Sequence, residues 1–336
     1  MFIAGDVYDR SVASAEAISL YDAAMSRLCK KLEKQVLIIA GNHDSAERLS
    51  TCGDLLTMAG LHVAGMLEAE PYYVSIGDTD IYLLPWISEE KVRSIYPERK
   101  DEIHNLESAY KVVMDVIRQS FDSTKKHIIL AHAFITDSET SVSDRAAVIG
   151  YAANVSAKVF EGFDYVALGH IHKPQTVSPG VRYCGTPMPL SFGKEESQEK
   201  SVTVVDTADM SEKIIPVPQL HRWTTLTGTL SELLDAEVSE EVRTGYVRLQ
   251  ITDAYAGLET MASLEAIYPN VRDYAGKRFD GEDSRISMTQ QELEKLEADP
   301  ETVFVRFCLD NLKEEPDAHQ LELFRKAVRE AEEELK

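Results

Sequence analysis

Four short apolar runs recur along the first half of the chain, and each ends in the same way. Phe2-Ile3-Ala4 runs into Gly5-Asp6, and Val36 to Ala40 runs into Gly41-Asn42-His43-Asp44. His127 to Ala131 runs into His132-Ala133, and Tyr165 to Leu168 into Gly169-His170-Ile171-His172. Continuous apolar runs of this length bounded by glycine predict strands buried on both faces. Between the first two, Ile18, Met25, Leu28 and Leu32 fall on one face at helical spacing. Ser14 stands at the N-cap position and Glu16 in the first turn. Strand, helix and strand in succession predict a mostly parallel sheet. A second amphipathic stretch, from about Asn105 to Phe121, is placed to cover a sheet face.

In such sheets ligands collect beyond the carboxyl ends of the strands. Here successive strands deliver Asp, Asn, His and a His-x-His pair to that edge. These residue types suit a divalent metal with mixed oxygen and imidazole ligands. Each piece alone has a plainer explanation. Gly-Asp is a common turn, Asp44 could cap a helix, and His132 could be a core histidine bonded to a carbonyl. Their combination, in order and always at strand ends, predicts a metal site.

The second half reads differently. Ser201 to Asp206 is another strand, Pro216 and Pro218 mark a linker, and a new unit begins near His221-Arg222-Trp223. Val247, Leu249 and Ile251 alternate within Tyr246 to Ile251 and predict a small α+β layer, with a helix following from about Gly257 to Ile267. The stretch from Arg278 to Ser287 is polar. Beyond it, Thr289 and Glu292 form a capping box, and Asp299-Pro300 opens a short helix carrying Phe304, Phe307 and Leu312. Leu321, Phe324, Val328, Ala331 and Leu335 then alternate spacings of three and four, a coiled-coil-like seam on a charged helix. Two heptads are too short to be stable alone, so the seam needs a partner, either its own domain or another subunit.

Composition narrows the picture. A chain of 336 residues with 44% hydrophobic and 27% charged residues is ordinary for a globular protein. No apolar run approaches membrane-spanning length, and the four scattered cysteines read as reduced thiols in a cytosolic protein. The net charge of -22, from 35 basic and 57 acidic residues, argues against a broad basic face for nucleic acid. It leaves room for a nuclease whose metals and partner supply the positive charge.

The motifs GDVYDR, GNHD, LAHAF and GHIH, in this order, resemble the calcineurin-like metallophosphoesterases. IAGDVYDR, VLIIAGNHDSAERL, ALGHIHKPQ and YCGTPMPLSFGKEE resemble the branch that serves as nuclease subunits in bacterial double-strand-break nuclease and ATPase assemblies. The resemblance implies an α/β fold, a four-layer α-β-β-α sandwich over residues 1–215. It also implies a small α+β capping domain (216–277), then a linker and C-terminal helices (278–336) that bind the ATPase. Two divalent metals, usually Mn2+, are implied. Asp6 would bridge them, with Asn42, His132 and His170 completing one site and His172 binding the other. His43 would face the scissile phosphate and help the leaving oxygen depart, while Asp9, Arg10 and Asp44 would orient ligands or His43. The implied substrates are DNA ends and hairpins, and the implied assembly is a nuclease homodimer within a heterotetramer. The family pattern also places an Asp-x-His pair on an upstream strand, and only Met1 precedes Phe2 here. Two explanations stand: an incomplete reading of a longer gene, or a non-catalytic scaffold. Retention of Asp6, Asn42, His43, His132, His170 and His172 favours the first. On this reading one metal site is complete and the other holds only His172 and a share of Asp6. A phosphoesterase acting on nucleotides or phosphoproteins is the chemical rival.

Overall fold

The computed structural model describes residues 1–136, 138–140, 154–253 and 258–276, and isolated positions from 301 to 328. Its contacts divide the chain into two compact units, Met1–Leu220 and His221–Lys336.

In the first unit the four apolar runs are strands, but they belong to two sheets. The first sheet is parallel, with β1 (Phe2–Ile3), β2 (Val36–Ile39) and β3 (Leu61–Ala64) in that order. β4 (Tyr73–Ile76), β5 (Thr79–Leu84), β6 (Lys126–His132), β9 (Tyr165–Gly169), β10 (Gln175–Ser178) and β11 (Val181–Tyr183) make the second, in the order β10-β11-β9-β6-β5-β4. β6 runs parallel to both β5 and β9, and the outermost pairs are antiparallel. A small parallel pair, β7 (Phe134–Ile135) and β8 (Asn154–Val155), stands apart.

Alternate residues of the strands serve different cores. Leu37 and Ile39 of the first sheet share one cluster with Ile81, Leu83, Ile128 and Leu130 of the second, so the two sheets face each other. Val36, Ile38 and Val63 point the other way, against α1 (Ala15–Ser26), where Met25 is buried and Tyr21 and Ala24 pack. Tyr82, Leu84, Ile129 and Val166 point outward from the second sheet onto α5 (Leu106–Gln119), which buries Ala109, Tyr110, Val113 and Ile117. The short helices α2 (Ala46–Leu49) and α3 (Gly53–Thr57) lie between β2 and β3, and α4 (Glu89–Ile95) lies between β5 and α5. Ser14 caps α1 by accepting from the Ala17 amide. Ile18, expected on its buried face, is 51% exposed. α1 ends at Ser26 in a π-helical turn (Arg27–Lys31), so Leu32, expected on the same face, lies beyond the helix and is 48% exposed.

The strand at Ser201–Asp206, β12, has a partner that the sequence did not suggest. β13 (Ser211–Pro216) pairs with it antiparallel, so Pro216 ends a strand instead of opening a linker. Proline is tolerated at such a position because an edge strand needs no donor on its outer side.

The second unit holds β14 (Trp223–Gly228), β15 (Tyr246–Ile251) and β16 (Val271–Gly276), with α6 (Leu230–Asp235) and α7 (Glu240–Thr244) before β15 and α8 (Leu258–Ile267) after it. Val247, Leu249 and Ile251 are buried as expected. All pairings are parallel, however, so the sheet is built from helical crossovers and not as an α+β layer. Period-two burial reports one covered face and says nothing about strand direction. Near the C-terminus Phe304 and Phe324 stack with ring centroids 4.3 Å apart, and Arg325 pairs with Glu301. Part of the seam is therefore met by the chain's own preceding helical segment. Thr289, Glu292, Asp299, Pro300, Phe307, Leu312, Ala331 and Leu335 lie outside the described residues.

Candidate metal centre

Two strand ends from each sheet meet at one edge. Asp6 lies three residues beyond β1, and Asn42, His43 and Asp44 follow β2. His132 closes β6, and His170 follows β9. Asp6 and His170 both have positive φ, 50° and 102°, which non-glycine residues seldom adopt. Such strain persists where surrounding structure holds a side chain to a task.

The side chains converge tightly. Asp6 Oδ2 is 3.2 Å from His132 Nε2, and Asn42 Oδ1 is 3.0 Å from both His132 Nε2 and His170 Nδ1. The two imidazole nitrogens are 3.3 Å apart. Among the described residues, Asp6, His132 and His170 are the one group of three metal-ligating side chains within reach of a common ion. His132 Nδ1 donates to the Ala4 carbonyl at 2.6 Å, which fixes the ring and turns Nε2 inward. Carboxylate, amide oxygen and two imidazole nitrogens then face each other, an array that needs a proton or a cation in its midst. These donors fit a divalent metal. Gly41 makes the approach possible, since a Cβ there would sit 2.1 Å from Asp6 Oδ1.

The electrostatics agree. Burial opposes charge on Asp6, but hydrogen bonds from His132 and the His43 amide outweigh it and hold the carboxyl below its usual range. Burial, then the neighbouring His132, pushes the His170 imidazole down to about 3, so it stays neutral as a ligand must.

The other expected residues are placed around this cluster. His43 Nδ1 donates to the Asp9 carbonyl at 2.9 Å, and its amide donates to Asp6 Oδ1. Asp44 accepts from the amides of Val7, Tyr8 and Gly41, tying the loop after β1 to the loop after β2. Asp9 and Arg10 pair with each other at the surface, 86% and 84% exposed. His172 stands outside the triad, with Nδ1 3.8 Å from Glu195 Oε1. Trp86 was not foreseen. Its ring stacks on His170 at 5.5 Å and meets His132 edge-on at 5.9 Å. It follows β5, a neighbour of β6 at the same sheet edge, and that position was the available signal.

Comparison with known proteins places this geometry. The calcineurin-like phosphoesterase family model matches residues 1–174, and the Type 5 capsule protein repressor C-terminal domain model matches residues 217–311. The SbcD component of the SbcCD nuclease of Staphylococcus epidermidis is 26% identical over 330 residues, covering 92% of this chain and 87% of the relative. Its counterpart in Staphylococcus saprophyticus is 26% identical over 308 residues, covering 91% and 80%. The matched region contains every strand end that contributes to the cluster, and the chain belongs to the calcineurin-like phosphoesterase family.

Proposed function

We propose that the chain is the nuclease subunit of an SbcCD-type complex, a metal-dependent hydrolase of DNA phosphodiester bonds. The convergence of Asp6, Asn42, His132 and His170 is the observation that carries this reading. Bound divalent ions, with Mn2+ expected and two in the full centre, supply the Lewis acidity that lets water attack an anionic phosphodiester. Asp6, Asn42, His132 and His170 hold one ion, and His172 belongs to the other. His43 is the acid. With Nδ1–H committed to the Asp9 carbonyl, its proton exchange is confined to Nε2, the nitrogen that serves the leaving oxygen. Asp44 keeps His43 and Asp6 in register by joining their loops.

The facing sheets with α1 and α5 outside are read as a four-layer α-β-β-α sandwich. The unit from His221 is read as a capping domain that places DNA over the metals. The C-terminal helices dock on an SbcC-like ATPase, in a heterotetramer built on a nuclease dimer that works in the cytoplasm. The acidic balance of this chain supports that arrangement, since the partner must supply most of the DNA-holding charge. No helix among the described residues is long and apolar enough to cross a membrane. The expected reactions are exonuclease action at double-stranded ends and endonuclease cleavage of single strands and hairpins.

The test is direct. The chain with its ATPase partner and Mn2+ is given end-labelled duplex, a DNA hairpin and a generic phosphomonoester. Cleavage of the DNAs is expected, and faster turnover of the monoester overturns the proposal in favour of a small-substrate phosphoesterase.

A further inference from the structure

The segment after β11 carries a buried ion pair with no place in the ligand cluster. Glu195 and Lys200 have side chains with no exposed surface, and Lys200 Nζ lies 3.4 Å from Glu195 Oε2. Glu195 also accepts from the Leu190 amide and the Ser191 hydroxyl, both at 2.9 Å. Lys200 donates to Thr186 Oγ1 at 3.0 Å and to Gln198 Oε1 at 3.1 Å. Removing two charges from water is costly, and such a pair seldom stabilises a fold more than apolar residues of the same volume. Stability alone is therefore a weak account of it.

What the pair grips supplies a better one. Lys200 Nζ donates to the His172 carbonyl at 3.1 Å, and the Glu195 carboxylate stands beside the His172 ring, with Oε1 3.8 Å from Nδ1. Lys200 thus holds the main chain of this residue, while Glu195 sets a carboxylate next to its ring. The Thr186 amide donates to the same carbonyl at 3.1 Å. This crowding explains Gly185, whose φ is +76° and whose Cβ would stand 2.7 Å from that oxygen. Carboxylates behind metal-bound histidines set ring orientation and basicity, and removing them typically weakens metal binding ten- to a hundredfold.

We infer that Glu195 and Lys200 are positioning residues for His172, holding its ring and carbonyl in place from behind. The inference rests on the reading of His172 as a ligand of the second metal. Its specific content is that the GKEESQEK segment, distant in sequence from every ligand, controls that metal and not the one held by Asp6, Asn42, His132 and His170.

The full 336-residue chain labelled with 15N-histidine tests this. The His172 ring signals are assigned by their loss in His172→Asn and followed first without metal and then in a titration with diamagnetic Zn2+, which shifts only the rings it binds. Equilibrium dialysis counts bound ions in the same samples. Glu195→Gln keeps the volume and an acceptor for the Leu190 amide but removes the charge. In the metal-free protein it should shift the His172 nitrogen signals. It should also weaken, at least tenfold, any Zn2+ binding that shifts them in the wild type, with the signals of His132 and His170 responding as in wild type. Lys200→Met should shift the His172 signals as well. If it does not fold, the neutral double variant Glu195→Gln/Lys200→Met is measured in its place. Unmoved His172 signals in metal-free Glu195→Gln overturn the inference. If Zn2+ leaves His172 unmoved in the wild type, the reading of His172 as a ligand is not borne out in this chain. A metal-free shift in Glu195→Gln then still establishes the positioning, and its absence removes that as well.

Discussion

At the scale of single residues, two histidines in one site carry opposite assignments. His43 stands clear of the cluster, with its ring held by the Asp9 carbonyl and its amide alone touching Asp6. His43→Ala should therefore cut DNA cleavage by roughly 10²- to 10⁴-fold, the usual contribution of a general acid. Mn2+ binding measured by calorimetry should be unchanged, and a fall in stoichiometry would make His43 a ligand. His170 behaves differently. Its folded value near 3 lies below the ordinary 6.5, so the unfolded chain takes up a proton that the folded one refuses. Its contribution to the stability of the metal-free protein is whole above 6.5 and is lost as the pH falls toward 3. Between pH 7.5 and 5.0 this amounts to about 2 kcal/mol. Denaturant unfolding at the two pH values should show that loss in the wild type and a smaller one in His170→Gln. Asp6, Asn42, His132 and His170 were legible in the sequence because each closes an apolar run. The actual work of Asp44 was not, because three bonds to backbone amides leave no side-chain pattern to read. Glu195 and Lys200 were hidden for a related reason: a charged pair in a loop looks solvent-facing until folding encloses it.

At the scale of elements, α5 shows how local chemistry supports the site. Asn105 accepts from the Ser108 amide while the Ser108 hydroxyl accepts from the Asn105 amide, closing the N-terminus of the helix. From α5, the buried Tyr110 hydroxyl donates to the carbonyl of His132 at 3.1 Å, so the helix braces the end of β6. Asn105→Ala should cost about 1 kcal/mol of stability in chemical denaturation. A cost near zero would mean that packing alone fixes the helix start. The cap of α1 and the position of α5 followed from spacing and capping residues, while α1 itself stops at Ser26, short of Leu28 and Leu32. The buried face of α1 did not follow as well, because 3-to-4 spacing finds an apolar stripe without saying how much of it a three-stranded sheet covers. Ile18 is left exposed, and Leu32 lies past the end of the helix. Nor could the pattern reveal that β1 and β2 lie in a different sheet from β6 and β9. Strands buried on both faces read alike whichever sheet owns them.

At the scale of the whole molecule, the ownership of the ligands by two sheets makes metal and fold interdependent. Asp6 and Asn42 belong to the first sheet, and His132 and His170 to the second. An ion bound among them joins layers that are otherwise held by the apolar cluster of Leu37, Ile39, Leu83 and Leu130. At a hundredfold excess over its dissociation constant, Mn2+ should stabilise the folded chain by about 2.7 kcal/mol. For a unit of this size that is roughly 5–10 °C in melting temperature. A chelator should remove the gain in calorimetric scans, and melting insensitive to both would place the ion elsewhere. The same separation sets a clock on synthesis. His132 lies 90 residues beyond Asn42, and His170 lies 128 beyond it. At 5–20 residues per second the ribosome needs about 6 to 25 s to bring the last of these ligands out after the second. A growing chain thus carries half a centre while the 90 residues between Asn42 and His132 are made, and the ligand cluster is complete only once His170, just after β9, has followed.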